Sequence, residues 1–555
     1  MVGGRSSTGV SGNLRLLVAR PGPILFDYTL SLATLLGVLL ASPLRRLDPP
    51  RFAQLREVLE EAGYTAEAVS AYLGLPTIYD FIARSLDAGI DAEPVESALA
   101  VLVRLFLDSR TLPHEVIDAH LGADARSLLV EFGLLQVDPT HPGRGVSTVL
   151  LYPTEGLWIV SDRGRPPEEA TLDPSNEAFG SRSQFPDAVY PTLTPSGQIF
   201  LGMLPRGRAG RYLELCAGSG IGALLGAASG ADQSWAIDIT ERSTDFAAFN
   251  ASLNGLDQVT ALQGDLWGPM RGQRFDTIAA HPPYVPAPEP ELIYRDGGED
   301  GEQVTRAILT GAHEHLAPGG ILQCTCMFST RGGADAPQRV RAMLGEVEAQ
   351  YDVMVLIHGS MDLVSHLRGK LASGDPKTIA EAAGQLRRFD ELEVEALHMC
   401  TIVLHRHDQA RGGATVKLQP SRSTRWAHVA WAVSMAGLAA DPESLAAQLL
   451  ETRVALSSVA RFDLSYRRGG DGEEAWVADG GRIRVDAPFV SSLDVGMTEA
   501  AILAEFDGSR TLGEHVRSLQ DEGRLPAALS PVDFARSFLP FILSCTVLTE
   551  ACPLP

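Results

Sequence analysis

Lysine is nearly missing from this chain of 555 residues. Only Lys370, Lys377 and Lys417 occur, and arginine makes up the rest of the 46 Lys and Arg. Against 69 Asp and Glu the formal net charge is -23. Lys and Arg supply the phosphate contacts that dominate non-specific nucleic-acid affinity, so this balance argues against a nucleic-acid partner. Cysteine is scarce as well. Cys216, Cys324, Cys326, Cys400, Cys545 and Cys552 form no CxxC pair and have no nearby histidine at ligand spacing. Neither a zinc site nor a disulfide framework is indicated, and a reducing, cytoplasmic setting fits best. Long apolar runs are also lacking. "TLSLATLLGVLLAS" (29–42), behind Arg15 and Arg20, is like a signal-peptide core but too short to span a bilayer. It reads as a buried or interface helix, and no membrane association is expected.

With 45% hydrophobic and 21% charged residues the composition is that of a soluble globular chain. Its length predicts two to four domains. Apolar residues at helical spacing in 51–74 and 96–122 make the first part, 1–145, mainly helical. "STVLLYPTEGLWIVSDRG" (147–164) reads as two strands around a turn. From about 195 to 407, β-rich runs alternate with helical ones, the pattern of an α/β parallel sheet with crossover helices. "HDQARGGAT" (408–416) is the best linker, which sets the parts at 1–145, 146–408 and 409–555. "LFLDSRTLPHEV" (105–116) echoes "EFDGSRTLGEHV" (505–516). The echo reads either as two related helix-turn-helix or winged modules flanking the sheet, or as chance likeness of a loop, N-cap and helix.

"RYLELCAGSGIGALLGAASG" (211–230) is a strand, a glycine loop and a helix. Gly218, Gly220 and Gly222 let the backbone turn sharply and approach a ligand. Asp238 closes the next strand, where a carboxylate can accept both hydroxyls of a ribose. Gly264 and Asp265 follow a third strand, at a place where an adenine amino group could be met. "AAHPPYVPAP" (279–288) follows a fourth. Taken together, E-x-C-x-G-x-G, an acidic strand end, G-D and x-P-P-Y resemble the class I S-adenosylmethionine-dependent methyltransferases of the (Asn/Asp)-Pro-Pro-(Tyr/Phe) branch. "YRDGGEDGEQVTRAILTGAHEHLAPGGIL" (294–322) is similar to the same region of release-factor glutamine methyltransferases, and "VYPTLTPSGQIF" (189–200) loosely so. Residues 51–330 also resemble two-domain methyltransferases, typical of actinobacteria, without a settled substrate.

The resemblance implies a Rossmann-like sheet domain behind a helical N-terminal domain, and the helical, leucine-rich residues after 409 add a mainly helical, winged-helix-like C-terminal one. It implies S-adenosyl-L-methionine as cofactor, bound by Glu214, Cys216, Ala217, Gly218, Gly220, Asp238, Ile239, Gly264, Asp265, Leu266 and His281. His281, Pro282 and Tyr284 become the catalytic positions, and Tyr190, Thr194, Pro283 and Tyr284 the acceptor-binding ones. No metal is implied. In such relatives an Asn or Asp and a proline carbonyl orient an NH2 group toward the methyl. His281 departs from that pattern. A neutral imidazole has one acceptor nitrogen and can also serve as a base near neutral pH. The acceptor is therefore expected to be a nitrogen, and in second place an oxygen, on a peptide, protein or specialised metabolite. Methylation of an RNA base and a non-catalytic binding scaffold are the alternatives. Asp296 and Asp300 read as loop and N-cap residues, and His313 and His315, two apart on a helix, diverge.

Overall fold

The computed structural model describes residues 42–82, 95–138, 141–147, 149–163, 186–208, 210–287, 291–439, 442–468 and 476–549. Except for Ser42, the apolar run 29–42 lies outside them. Among the described residues no helix is long and apolar enough to cross a membrane. The N-terminal part carries α1 (Pro49–Glu61) and α2 (Ala66–Leu73), then the expected hairpin of β1 (Val149–Thr154) and β2 (Leu157–Asp162). Its turn is Glu155 and Gly156, both at positive φ, the combination a two-residue hairpin loop needs.

The central part runs α3 (Pro195–Gly202), β3 (Arg211–Leu215), α4 (Ile221–Ala228), β4 (Gln233–Asp238), α5 (Glu241–Leu253), β5 (Val259–Gln263) and β6 (Phe275–Ala280). It continues through α6 (Gln303–His315), β7 (Leu316–Arg331), α7 (Ala336–Leu344), β8 (Tyr351–Met361), α8 (Leu363–Leu371), α9 (Pro376–Glu391) and β9 (Val394–Arg406). β3 and β6 are buried almost throughout. Strands covered by helices on both faces need such apolar runs, and a parallel order follows from the crossovers.

After residue 408 come β10 (Thr415–Pro420), α10 (Trp426–Ala439), β11 (Arg461–Arg468), β12 (Trp476–Val485) and β13 (Phe489–Val495). The sheet has eleven strands in the order β11-β12-β13-β10-β8-β9-β7-β6-β3-β4-β5. β5, β4, β3, β6 and β7 are mutually parallel, and β9 runs antiparallel between β7 and β8. β10 then pairs parallel to β8, so the C-terminal part extends the sheet. The C-terminal helices occur as expected, and these strands were not foreseen. β11 is exposed along nearly its whole length, and a strand solvated on both faces shows no alternating apolar pattern to detect.

Both copies of the sequence echo turn a strand into a helix on a three-stranded sheet. Leu112–Pro113 leads into His114–Leu121, and Asp507–Thr511 into Leu512–Asp521. Only the second has a full capping box, Thr511 with Glu514.

The N-terminal helices dock on α5 through Phe52, Phe132 and Phe249, whose ring centroids lie 4.7, 5.2 and 5.7 Å apart. Asn250, fully buried on α5, pairs with both backbone groups of Val160 on β2, at 2.8 and 3.0 Å. The C-terminal part shares a core with the sheet: Met354, Leu356 and Val403 pack in one cluster with Trp426, Val429 and Ala432. A chain ending at 408 would leave these sheet residues uncovered. We expect it to melt well below the full chain or to aggregate, each large apolar side chain returned to water costing about 1.5–3 kcal/mol. An unchanged thermal transition would refute that shared core.

Candidate functional site

At the carboxyl ends of the parallel strands lies a cavity of about 1520 Å³. That is where ligands of open α/β sheets bind. Its wall includes Glu214, Cys216, Ala217 and Gly218 of the glycine loop, Asp238 and Ile239 after β4, Gly264, Asp265 and Leu266 after β5, and His281 to Tyr284 after β6. Tyr190 and Thr194 line it too. Of the expected positions Gly220 alone stays outside the lining, and its part is conformational. It is left-handed at φ 78°, and an added Cβ would lie 2.8 Å from that of Ala247.

Glu214 is nearly fully buried, and its two carboxylate oxygens accept the N–H groups of Gly222 and Ala223 at 2.9 and 2.8 Å. It caps the first turn of α4, and an added Cβ on Gly222 would lie 2.6 Å from its Oε1. Glu214 therefore holds the loop in shape. Burial pushes its carboxyl up to about 8 despite the two donors. Asp238 accepts the N–H of Gly218 at 2.9 Å and that of Thr240 at 3.0 Å, so β4 and the loop are tied together. Burial raises the Asp238 and Asp265 carboxyls and the Cys216 thiol above their usual ranges. Gly264 has no room for a side chain, since a Cβ there would lie 2.1 Å from Pro269 Cγ. Ile239 is 41% exposed, an apolar surface at the cavity wall.

His281 stacks on Phe200 of α3 at 5.2 Å and 18°, and lies tilted against Tyr284 at 5.8 Å. Its Nε2 is buried without a hydrogen-bond partner. Burial lowers its pKa to about 4, so the ring is neutral at physiological pH. The segment after it is pinned from below. Val285 donates to Arg295 O at 2.9 Å, Gly297 donates back to Val285 O at 2.9 Å, and Ala287 donates to Gly298 O at 2.8 Å. Asp296 fixes this turn by accepting the N–H groups of Glu291 and Leu292, while Asp300 accepts from Glu302 N and pairs with Arg306. Both act as loop residues, as the sequence suggested. Thr194 caps α3 by accepting from Gly197 N at 3.1 Å, and Tyr190 stacks on Tyr294 at 5.3 Å. His313 and His315 go separate ways, toward Tyr351 and Trp267 respectively. The five described cysteines are free thiols.

Sequence reasoning missed two contributors. Phe200 reads as an ordinary core residue, with no local signal of its place under the histidine. The other is the pair α8 and α9, inserted between β8 and β9, from which His366, Lys370, Thr378 and Gln385 reach the cavity. Gln385 donates to Pro286 O at 3.1 Å and Arg388 pairs with Glu299 at 2.6 Å, which seats the insert on the Pro-Pro-Tyr segment. Its signal was available: Asp362 and Asp375 each cap a helix from three residues ahead of Ser365 and Thr378.

Residues 191–350 match the family model described as methyltransferase small domain. A ribosomal protein uL3 glutamine methyltransferase of Bradyrhizobium diazoefficiens is 42% identical over 127 residues, 20% of this chain and 40% of that protein. A release factor glutamine methyltransferase of Thermodesulfovibrio yellowstonii is 34% identical over 147 residues, 24% of this chain and 52% of that protein. The uL3 glutamine methyltransferase of Xanthomonas campestris pv. campestris is 29% identical over 274 residues, 45% of this chain and 80% of that protein. The chain thus spans about half the length of the first two relatives, and those matches leave most of the chain uncovered.

Proposed function

We propose that the protein is an S-adenosylmethionine-dependent methyltransferase acting on a nitrogen, and in second place an oxygen, of a protein or peptide. One observation carries this reading: His281, Pro282, Pro283 and Tyr284 face the same cavity as the glycine loop and Asp238, with the buried His281 Nε2 left without a partner. The donor set suits the cofactor. Asp238 is the carboxylate for ribose hydroxyls, Ile239 an apolar face for a purine, and Asp265 an acceptor for an exocyclic amine. Gly218, at φ 53° with open space where a Cβ would be, lets a ligand come close to the backbone. When bound, the cofactor supplies an electrophilic methyl on a sulfonium.

The chain's own residues then have to place a lone pair on that carbon and keep water away. The Pro282–Pro283 backbone is stiff and offers carbonyl acceptors, Tyr284 packs on a planar acceptor, and His281 Nε2 accepts a hydrogen bond from the nucleophile. We assign 146–408 to the catalytic part and 1–145 and 409–555 to flanking parts, the last serving acceptor recognition. The named cavity residues run from Ile82 to Met399, so a C-terminal part can read only an acceptor that extends out of the cavity. That favours a protein or peptide over a compact metabolite.

The test is incubation of the full chain with methyl-labelled cofactor and candidate proteins, followed by peptide mass spectrometry. A gain of one methylene unit on a nitrogen of a single protein is expected. Transfer only to RNA, or cofactor binding with no transfer to any acceptor, would overturn the reading. Asp238→Ala is expected to weaken cofactor binding tenfold or more, the loss of a charge-assisted contact of about 1.5–3 kcal/mol. Unchanged calorimetric affinity would remove Asp238 from the cofactor pocket.

A further inference from the structure

On the far side of the sheet domain, outside the lining of the cavity, Asp352, His405 and His407 bring one carboxylate oxygen and two imidazole nitrogens within 4.8 Å of one another. We propose that these three residues form a structural site for a divalent metal of the zinc class. His405 stands directly across from Asp352 in the β8–β9 register. His407, the first residue after β9, turns toward the same carboxylate. His407 Nε2 lies 2.8 Å and His405 Nδ1 3.4 Å from Asp352 Oδ2. Tetrahedral zinc, with ligands at about 2.0–2.2 Å, sets its donor atoms roughly 3.3 Å apart.

The polar bookkeeping calls for a cation here. Asp352 Oδ2 and His405 Nδ1 are cut off from solvent, and the carboxylate oxygen meets only the two imidazole nitrogens and Arg411. His407 Nε2 meets Arg411 Nη2 at 3.1 Å, and an arginine nitrogen can only donate. In the tautomer that accepts from Arg411, that nitrogen presents a lone pair beside the carboxylate oxygen. Two lone pairs at such a distance repel unless positive charge lies between them. Arg411 offers part of that charge from 3.6 Å, but its side chain is 40% exposed and free to swing outward. Asp352 Oδ1 accepts the N–H of Ala414 at 2.8 Å, the kind of contact that orients a ligating carboxylate. Gly437 of α10 covers the cluster, and a Cβ there would lie 3.2 Å from Oδ2.

The three ligands belong to the start of β8, the end of β9 and the connection into β10. A metal would therefore clamp the C-terminal part onto the sheet and leave the methyl-transfer chemistry untouched. The full chain, stripped with a chelator, is titrated with cobalt(II) and then with zinc(II), following visible absorption and thermal unfolding. We expect stoichiometric binding, a rise in melting temperature, and displacement of cobalt by zinc. His405→Gln and His407→Gln should each weaken binding by at least the roughly 10- to 100-fold that loss of an orienting neighbour costs. Arg411→Gln, which removes the competing cation, should bind metal as tightly or more tightly. Cobalt binding that is absent, or unchanged in both histidine variants, overturns the site. A lower melting temperature of Arg411→Gln with no response to metal does so as well, and would make the cluster an arginine-bridged ion pair.

Discussion

His281→Ala is expected to lower the methyl-transfer rate by roughly 10² to 10⁴ while leaving cofactor affinity nearly unchanged, the size of effect given by a positioned acid/base or orienting group. The ring sits between Phe200 and Tyr284, and its Nε2 has no protein partner. Its removal takes away the acceptor that turns the nucleophile toward the methyl. The sequence left open whether His281 orients the acceptor or acts as a base near neutral pH. Burial instead holds the pKa at about 4, so the histidine is already neutral at pH 6 and its titration should not shape the rate up to pH 8. The His281-dependent part of the rate falls only as pH drops toward 4. The same shift bears on stability. A histidine with a depressed folded pKa binds fewer protons when folded, so its contribution is full above about 6.5 and is lost as pH falls to 4. His281→Asn separates the roles: it keeps an oriented acceptor but cannot take a proton at these pH values. Retained activity means orientation, loss in both variants means proton transfer, and wild-type rates in both would remove His281 from the chemistry.

Arg242→Ala should cost about 3–5 kcal/mol of stability, the penalty for leaving a buried charge without its partner. Arg242 Nε donates to Asp162 Oδ2 at 2.7 Å, both residues are buried, and the same oxygen accepts the N–H of Val189 at 2.8 Å. One ion pair thus joins the end of β2, the helix α5 and the segment carrying Tyr190. The double variant Asp162→Ala with Arg242→Ala should recover part of the loss, because no lone charge remains buried. Chemical denaturation of the three proteins measures this. A cost under about 1 kcal/mol, as for an exposed pair, would show that the charges are solvated.

The strand-end half of the cavity wall was readable because its constraints are local. A strand, a turn that must pass through positive φ and a helix start are written in adjacent residues, and so are the strand-end positions of Asp238 and His281. The stacking of Phe200 under the histidine, the seating of α8 and α9 on the Pro-Pro-Tyr segment, and the joining of Arg242 to Asp162 link positions up to a hundred residues apart, with no common period to betray them. His405 and His407 show the division at its sharpest. They stand two apart at the end of β9 and just beyond it, yet nothing in that spacing names Asp352 as the third group. The sequence by itself determined the order of strands and helices around the glycine loop, that loop itself and the residues at the strand ends, because backbone sterics and side-chain period act over a few residues. Only the tertiary structure decided that the histidine would be neutral, that the C-terminal part would continue the sheet, and which helices would close the cavity, because desolvation and packing depend on what the rest of the chain brings alongside.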